Sequence, residues 1–253
     1  MTTDPLFSVA DRSVLVAGAA GALGQALAYA FAERGAKIIA ADIDRARVEA
    51  LAGKLPGGGH LVHCLDVTDE ASCKHAVATA RDALGGLDVV INATGVFSVA
   101  PALELEARAF DDALRVNLTG AFLLARAAAS IMIADGGGSI ITIASVSSRV
   151  ANPGYAAYAS SKAGLMQLVR VLAREWAEFQ VTVNAIGPAM ILTPLTEQYL
   201  RSTDNFDYAL GNIPMGRFGT PGDIVGTALL LASQAGAFIT GQTIFVDGGR
   251  TCV

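Results

Sequence analysis

An α/β fold, with a parallel sheet covered by helices on both faces, is the architecture that this 253-residue sequence predicts. Three observations predict it. Short β-branched runs alternate with alanine-rich stretches from end to end, most of the runs are continuously apolar, and the stretches between them are long enough for crossover helices. A strand buried on both faces needs apolar side chains on both, which removes the in–out alternation of a half-exposed strand. Parallel neighbours need a crossover connection, so repeated βα units build a doubly wound sheet.

The runs, in order, are SVLVA (13–17), KIIAA (37–41), HLVHCL (60–65), DVVIN (88–92), SIITIA (139–144), VTVNAI (181–186) and TIFV (243–246). They predict about seven strands in one domain spanning 1–253, because no linker, low-complexity tract or repeat interrupts the rhythm. One segment, about 189–220, stands outside it. It carries Pro194 and Pro214 with Tyr199, Phe206 and Tyr208, and an insertion of this length in a compact domain reads as a lid over a site.

Composition narrows the function classes. A chain that is 53% hydrophobic is not disordered, and a net charge of −5 without a basic stripe argues against a nucleic-acid partner. The start, MTTDPLFSVADR, has no basic region followed by a long apolar core, so it does not read as a secretory signal. Val14–Ala32 is nearly uncharged and about as long as a membrane span, but glycines 18, 21 and 24 interrupt it, and strand–turn–helix fits better. Cys64, Cys73 and Cys252 are odd in number and form no CxxC, which suits a reduced, cytoplasmic protein. His60, His63, Cys64, Cys73 and His75 crowd together in sequence. Yet His63 and Cys64 are strand neighbours on opposite faces, and Cys73 and His75 do not share a helix face, so no metal site is expected.

Two stretches carry chemistry. The first, AGAAGALG (17–24), follows a strand and opens a helical run. Gly18, Gly21 and Gly24 permit a tight turn and let a pyrophosphate approach the N–H groups of a helix N-terminus, the first half of a Rossmann-type dinucleotide site. Asp42 ends the next strand, 18 residues beyond Gly24, followed by Ile43. A carboxylate there accepts the adenosine ribose hydroxyls and repels a 2′-phosphate, so NAD is favoured over NADP, with Arg45 close enough to matter. The second stretch is YAAYASSKAG (155–164). Tyr158 and Lys162, at i and i+4, share a helix face, whereas Tyr155 lies two turns from the lysine. An ammonium beside a phenol favours the phenolate, which suits proton transfer, although a solvent-facing pair would read the same way.

With these motifs in view, the sequence resembles the short-chain dehydrogenase/reductase family along nearly its whole length. AGAAGALG resembles the family's nucleotide turn, LDVTD (65–69) its adenine-contacting segment and INATG (91–95) its strand-end motif. VNLTG (116–120), SIITIASVSS, VNAIGPAMILT and FITGQTIFVDGG match further segments, and the stretch SVSSRVANPGYAAYASSKAG is most similar to the branch of 3-oxoacyl-carrier-protein reductases and polyol dehydrogenases. The resemblance implies that Tyr158 exchanges a proton with the substrate oxygen and that Ser145 hydrogen-bonds that oxygen. Lys162 would lower the Tyr158 pKa and hold the nicotinamide ribose, and Asn117 would hold a water leading to Lys162. It implies cofactor contacts at Gly18, Gly21, Leu23, Gly24, Asp42, Ile43, Asp66, Val67, Asn92, Ile191 and Thr193, and a homotetramer built through helices near 105–130 and 155–178 and the last strand.

Ala17, Ala93 and Ala189 stand where the family usually has Thr, Asn and Gly, all on the cofactor side. Arg149, Asn152 and Tyr155 are candidates to contact substrate, in a mostly apolar wall with Val96, Phe97, Val146, Met190, Leu192, Leu195 and Tyr199. The expected ligand is a modest, largely uncharged carbonyl or secondary alcohol. A non-catalytic NAD-binding sensor, an NADPH-linked 3-oxoacyl thioester reductase, and an epimerase or lyase remain alternatives.

Overall fold

The computed structural model describes residues 4–253, without the Thr203 side chain, so Met1–Thr3 of the N-terminal stretch lie outside the described residues. Seven strands form one sheet: β1 (Ser13–Ala17), β2 (Lys37–Asp42), β3 (Leu61–Cys64), β4 (Val89–Asn92), β5 (Gly138–Ile143), β6 (Val181–Pro188) and β7 (Thr243–Val246). Their order is β3-β2-β1-β4-β5-β6-β7, and every pairing is parallel. β1 is buried along its whole length, as a strand covered on both faces requires.

Helices α1 (Ala22–Ala32), α2 (Arg45–Ala52), α3 (Glu70–Leu84), α4 (Ala107–Leu114), α5 (Gly120–Asp135), α6 (Ala156–Trp176), α7 (Pro194–Leu200), α8 (Thr203–Gly211) and α9 (Val225–Ala232) complete the chain. They divide into two layers. Leu15, Ile39 and Val90 face Val77, Leu124, Met132 and Leu165 from α3, α5 and α6. Val14, Val16 and Ile91 face Leu27, Phe31, Val48 and Leu231 from α1, α2 and α9. Each fully buried Leu or Phe in these layers stabilises the fold by about 1.5–3 kcal/mol relative to exposure.

Val14–Ala32 resolves into β1, the glycine turn and α1. The α4–α5 run, Ala107–Asp135, is long and apolar enough to cross a bilayer, and half of its apolar window is buried inside the molecule. A π-helical turn, Arg115–Thr119, joins α4 to α5 and closes with the Gly120 N–H donating to the Arg115 carbonyl. Single π turns of this kind are common at functional sites.

The strand order reverses between β1 and β4, the switch point where open α/β sheets leave a crevice beyond the strand ends. The segment 189–220 is a separate structure over that crevice. It is a helix pair, α7 and α8, whose two ends are joined to each other by a parallel bridge between Ile191 and Gly219, and it packs on its own small core of Leu200, Ile213 and Phe218. Two strands are shorter than the apolar runs suggest. His60 stays outside β3 because its ring nitrogens bond the Ile38 N–H and the Pro56 carbonyl. Asp88 stays outside β4, where its carboxylate accepts from the Ser13 N–H.

Candidate active site

The cleft begins at the glycine turn. Gly18 adopts φ +77°, and a Cβ there would lie 2.8 Å from the Ala93 backbone at the end of β4. A Cβ on Gly24 would lie 2.1 Å from the Gly18 carbonyl oxygen, so the turn closes on itself only with hydrogen at that position. Gly21 caps α1 with no side-chain hydrogen bond. The first N–H groups of an 11-residue helix therefore stand without a side-chain partner beside Ala22 and Leu23, which line the cleft. That donor set fits a pyrophosphate.

Asp42 is fixed at the edge of this turn. One carboxylate oxygen accepts from the Ala20 N–H at 3.0 Å and the other from the Asp44 N–H at 3.2 Å. Ile43 beside it is 68% exposed. Asp66 is held by the Thr68 N–H and hydroxyl, both at 2.8 Å. The Val67 side chain is core, packed so closely that a Cβ on Gly120 would meet it at 2.8 Å. Asn92 is buried at the end of β4 and accepts from the Thr94 N–H and hydroxyl, which shapes the loop bordering the cleft.

At the other end, Ser145, Tyr158 and Lys162 line the same cleft. Ser145 follows β5 and opens a 3₁₀ turn, Val146–Ser148, by accepting from the Ser147 N–H at 3.1 Å. Tyr158 and Lys162 lie one turn apart on α6, and the Lys162 Nζ is 5.8 Å from the centre of the Tyr158 ring. Lys162 is only 3% exposed, and its ammonium donates to the Ile143 carbonyl at 2.8 Å. Burial pushes its pKa down to about 8. The Tyr158 phenol is shifted upward, because burial outweighs the opposing hydrogen bond with Ser145. This corrects the expectation of a lowered tyrosine: with the ammonium turned to the Ile143 carbonyl, desolvation of the phenol dominates.

Asn117 sits in the π turn and faces the loop after β4. Its Oδ1 accepts from the Val96 N–H at 2.8 Å, while its Nδ2 donates to the Val96 carbonyl at 3.1 Å and to Ser161 at 2.9 Å. Both amide hydrogens are thereby used, so its direct partners are the loop and α6, not the Lys162 side chain. A Cβ on Gly95 would meet both the Asn117 Oδ1, at 3.2 Å, and the Lys162 Nζ, at 3.5 Å. The loop, Asn117 and Lys162 are one packed unit.

The substrate end is aromatic. The Phe97 ring stands edge-on to Tyr155, Tyr158 and Tyr199, with centroids 5.3, 5.0 and 5.9 Å away. Tyr155 is 5% exposed and its phenol, like that of Tyr158, is shifted upward by burial, so it is the distance from Lys162 that separates the two tyrosines. Asn152, Ile191 and Thr193 also border the cleft, and Thr193 caps α7 in a reciprocal box with Thr196. The whole cleft encloses about 540 Å³.

Arg149 is a correction. It is exposed and lies outside the cleft, with its guanidinium 6.0 Å from the Phe245 ring centre on β7, because the 3₁₀ turn after Ser145 turns it away from Tyr158. Leu192 also lies outside the cleft and is 51% exposed. Arg45 is taken up by Glu49 at 2.8 Å, and Arg47 reaches the glycine turn instead, donating to the Ala20 carbonyl at 2.6 Å. Arg47 and Arg250 both line the cleft and were missed. The i,i+4 pairing of Arg45 with Glu49 is the sequence signal that leaves Arg47 for another face. Arg250 had no such signal, because Gly248 (φ +59°) and Gly249 (φ +90°) turn the chain end back on the body. Of the histidine and cysteine cluster, the His63 and His75 rings lie 5.0 Å apart, and among the described residues no three such ligands gather as a metal site would require.

Comparison with known proteins gives the same family from several directions. A family model described as enoyl-(acyl carrier protein) reductase matches residues 18–251. A D-threitol dehydrogenase of Mycolicibacterium smegmatis is 38% identical over 99% of this chain and 97% of its own length. An NAD-dependent glycerol dehydrogenase of Listeria innocua is 35% identical, covering 98% of this chain and 97% of that one. The crystal structure of a gluconate 5-dehydrogenase of Burkholderia cenocepacia, in complex with NADP and tartrate, superposes with a TM-score of 0.94 at 32% identity, covering 98% of each chain. The glycine turn, the parallel sheet and the Ser–Tyr–Lys cleft thus sit in a chain that belongs to the short-chain dehydrogenase/reductase family and is an oxidoreductase acting on CH–OH groups.

Proposed function

We propose that this protein interconverts a secondary alcohol of a polyhydroxy compound and the corresponding ketone with NAD(H), with Tyr158 as general acid and base. One observation carries the reading: a single cleft runs from the free N–H groups of α1 to Ser145, Tyr158 and Lys162. A bound nicotinamide would supply the hydride chemistry. In oxidation the Tyr158 phenolate takes the hydroxyl proton, and in reduction the phenol returns it to the carbonyl oxygen. The Ser145 hydroxyl hydrogen-bonds the same oxygen and steadies its developing charge. The Lys162 ammonium, held by the Ile143 carbonyl, offers its remaining donors to the nicotinamide ribose. Asn117 acts as a positioning residue by fixing the loop against Lys162.

Asp42 supports NAD over NADP, since its carboxylate stands where an adenosine 2′-phosphate would come near. Arg47 favours the second reading, NADP, because its guanidinium lies at the same turn. Parallel calorimetric titration with NADH and NADPH separates them: binding of NADH at least tenfold tighter supports the Asp42 reading, and the reverse order refutes it. The relatives' names support polyols and sugar derivatives as the substrate class. We also propose that the chain works as one cytoplasmic catalytic domain, with 189–220 closing over the cleft, and assembles as a homotetramer. The half-exposed edge strand β7 and the long, alanine- and leucine-rich helices α5 and α6 support that assembly. A monomer in sedimentation at micromolar concentration would refute it.

A further inference from the structure

The charges in the cleft do not balance. Its lining contains three cationic side chains, Arg47, Lys162 and Arg250, and no Asp or Glu. Under the reading above, Arg47 faces the pyrophosphate end and Lys162 the nicotinamide ribose, so a dinucleotide meets both. Arg250 has no such counterpart.

Its position is built, not accidental. The Asp247 carboxylate pins the terminal turn by accepting from the Gly249 N–H, the Thr251 N–H and the Thr251 hydroxyl. The lid presses on that turn, so that a Cβ on Gly248 would meet Ile213 at 2.7 Å. Arg250 is half-buried there, donates to the Asn152 Oδ1 at 3.1 Å, and forms no ion pair among the described residues. Tyr208 of the lid reaches the same oxygen at 3.5 Å. A guanidinium carries five donors, and one bond leaves most of the fork unpaired in a largely apolar cleft. A half-buried cation in such a place is stabilised by an anion.

We infer that Arg250, set by Asn152 and Tyr208, binds a carboxylate of the substrate, so that the alcohol this enzyme oxidises is a polyhydroxy acid and not a neutral polyol. One unmatched cation suits a singly charged carboxylate, held through two parallel N–H bonds, better than a doubly charged phosphate ester. The inference rests on the dehydrogenase reading for its chemistry, but the anion site can be tested without turnover.

The test is calorimetric titration of the enzyme–NADH complex with matched pairs: glycerate and glycerol, threonate and threitol, gluconate and glucitol, with glycerol 3-phosphate as the phosphate probe. The expected result is that at least one acid binds tenfold or more tighter than its polyol. Arg250→Gln should remove that advantage and Arg250→Lys keep part of it, with NADH affinity reporting that each variant is folded. The inference is overturned if no acid exceeds its polyol, if the advantage survives Arg250→Gln, or if glycerol 3-phosphate binds tightest. NADH formation, followed separately, distinguishes the two failures. Turnover of polyols without acid binding would sink the carboxylate site and leave the dehydrogenase reading standing. Acid binding without turnover of any substrate would do the opposite.

Discussion

Replacing Lys162 by Met should make the resting protein more stable while disabling it. Lys162 is 3% exposed, and its pKa falls from 10.5 to about 8, so at pH 7 the native state holds a charged ammonium that burial disfavours. A shift of that size corresponds to about 3 kcal/mol of destabilisation at neutral pH, at about 1.4 kcal/mol per unit. Methionine fills similar volume without charge. It leaves the Ile143 carbonyl without its donor, which costs about 1–2 kcal/mol. The net gain is about 1–2 kcal/mol, or about 2–8 °C in melting temperature for a chain of this size. The sign of the pH dependence is fixed. The native lysine releases its proton near pH 8 and the unfolded one only near 10.5, so wild-type stability rises with pH across that window. The advantage of Lys162→Met is therefore full below pH 8 and shrinks towards pH 10.5. Thermal melting of both cofactor-free proteins from pH 6.5 to 10.5 reads this directly. A variant less stable at pH 7, or a gain that does not change with pH, would refute the reasoning that a functional cation is held here against the fold.

Further outcomes follow from the same geometry. Tyr158→Phe should lower kcat by about 10²–10⁴-fold while retaining NADH affinity in calorimetry. In the wild type, kcat/KM for oxidation should rise with pH up to 10 while that for reduction stays level, because oxidation needs the phenolate, reduction needs the phenol, and the Tyr158 pKa is raised; a flat profile for oxidation would contradict the proton role. Gly24→Ala should abolish NADH binding and lower the melting temperature, since the new Cβ would sit 2.1 Å from the Gly18 oxygen. Asp42→Ala should improve NADPH affinity at least tenfold relative to NADH in paired titrations, by removing a negative charge from the turn that Arg47 already approaches.

Much of this is legible in the sequence. Continuous apolar runs such as SVLVA and DVVIN mark strands covered on both faces, and the sheet contains a strand at each of the seven runs. The glycine spacing and the Tyr158–Lys162 separation are local facts that survive folding, because a turn and one helical turn fix them. What could not be read was set by long-range packing. Arg149 follows Ser145 by four residues, yet a 3₁₀ turn sends it away from the cleft. Arg250, 92 residues beyond Tyr158, reaches the cleft because two left-handed glycines and the Asp247 carboxylate fold the terminus back. The direction of the Tyr158 shift is hidden for a similar reason: helical spacing gives the distance to Lys162, but not the Ile143 carbonyl that claims the ammonium or the burial that opposes the phenolate.

The central claim is tested most directly by NADH formation, followed by absorbance, when NAD⁺ and a panel of polyols and polyhydroxy acids are added to wild-type protein and to Tyr158→Phe. The account predicts turnover of at least one substrate by the wild type and loss of that turnover in a variant that still binds NADH. No turnover by a wild type that binds NADH, or equal turnover by both proteins, would contradict it.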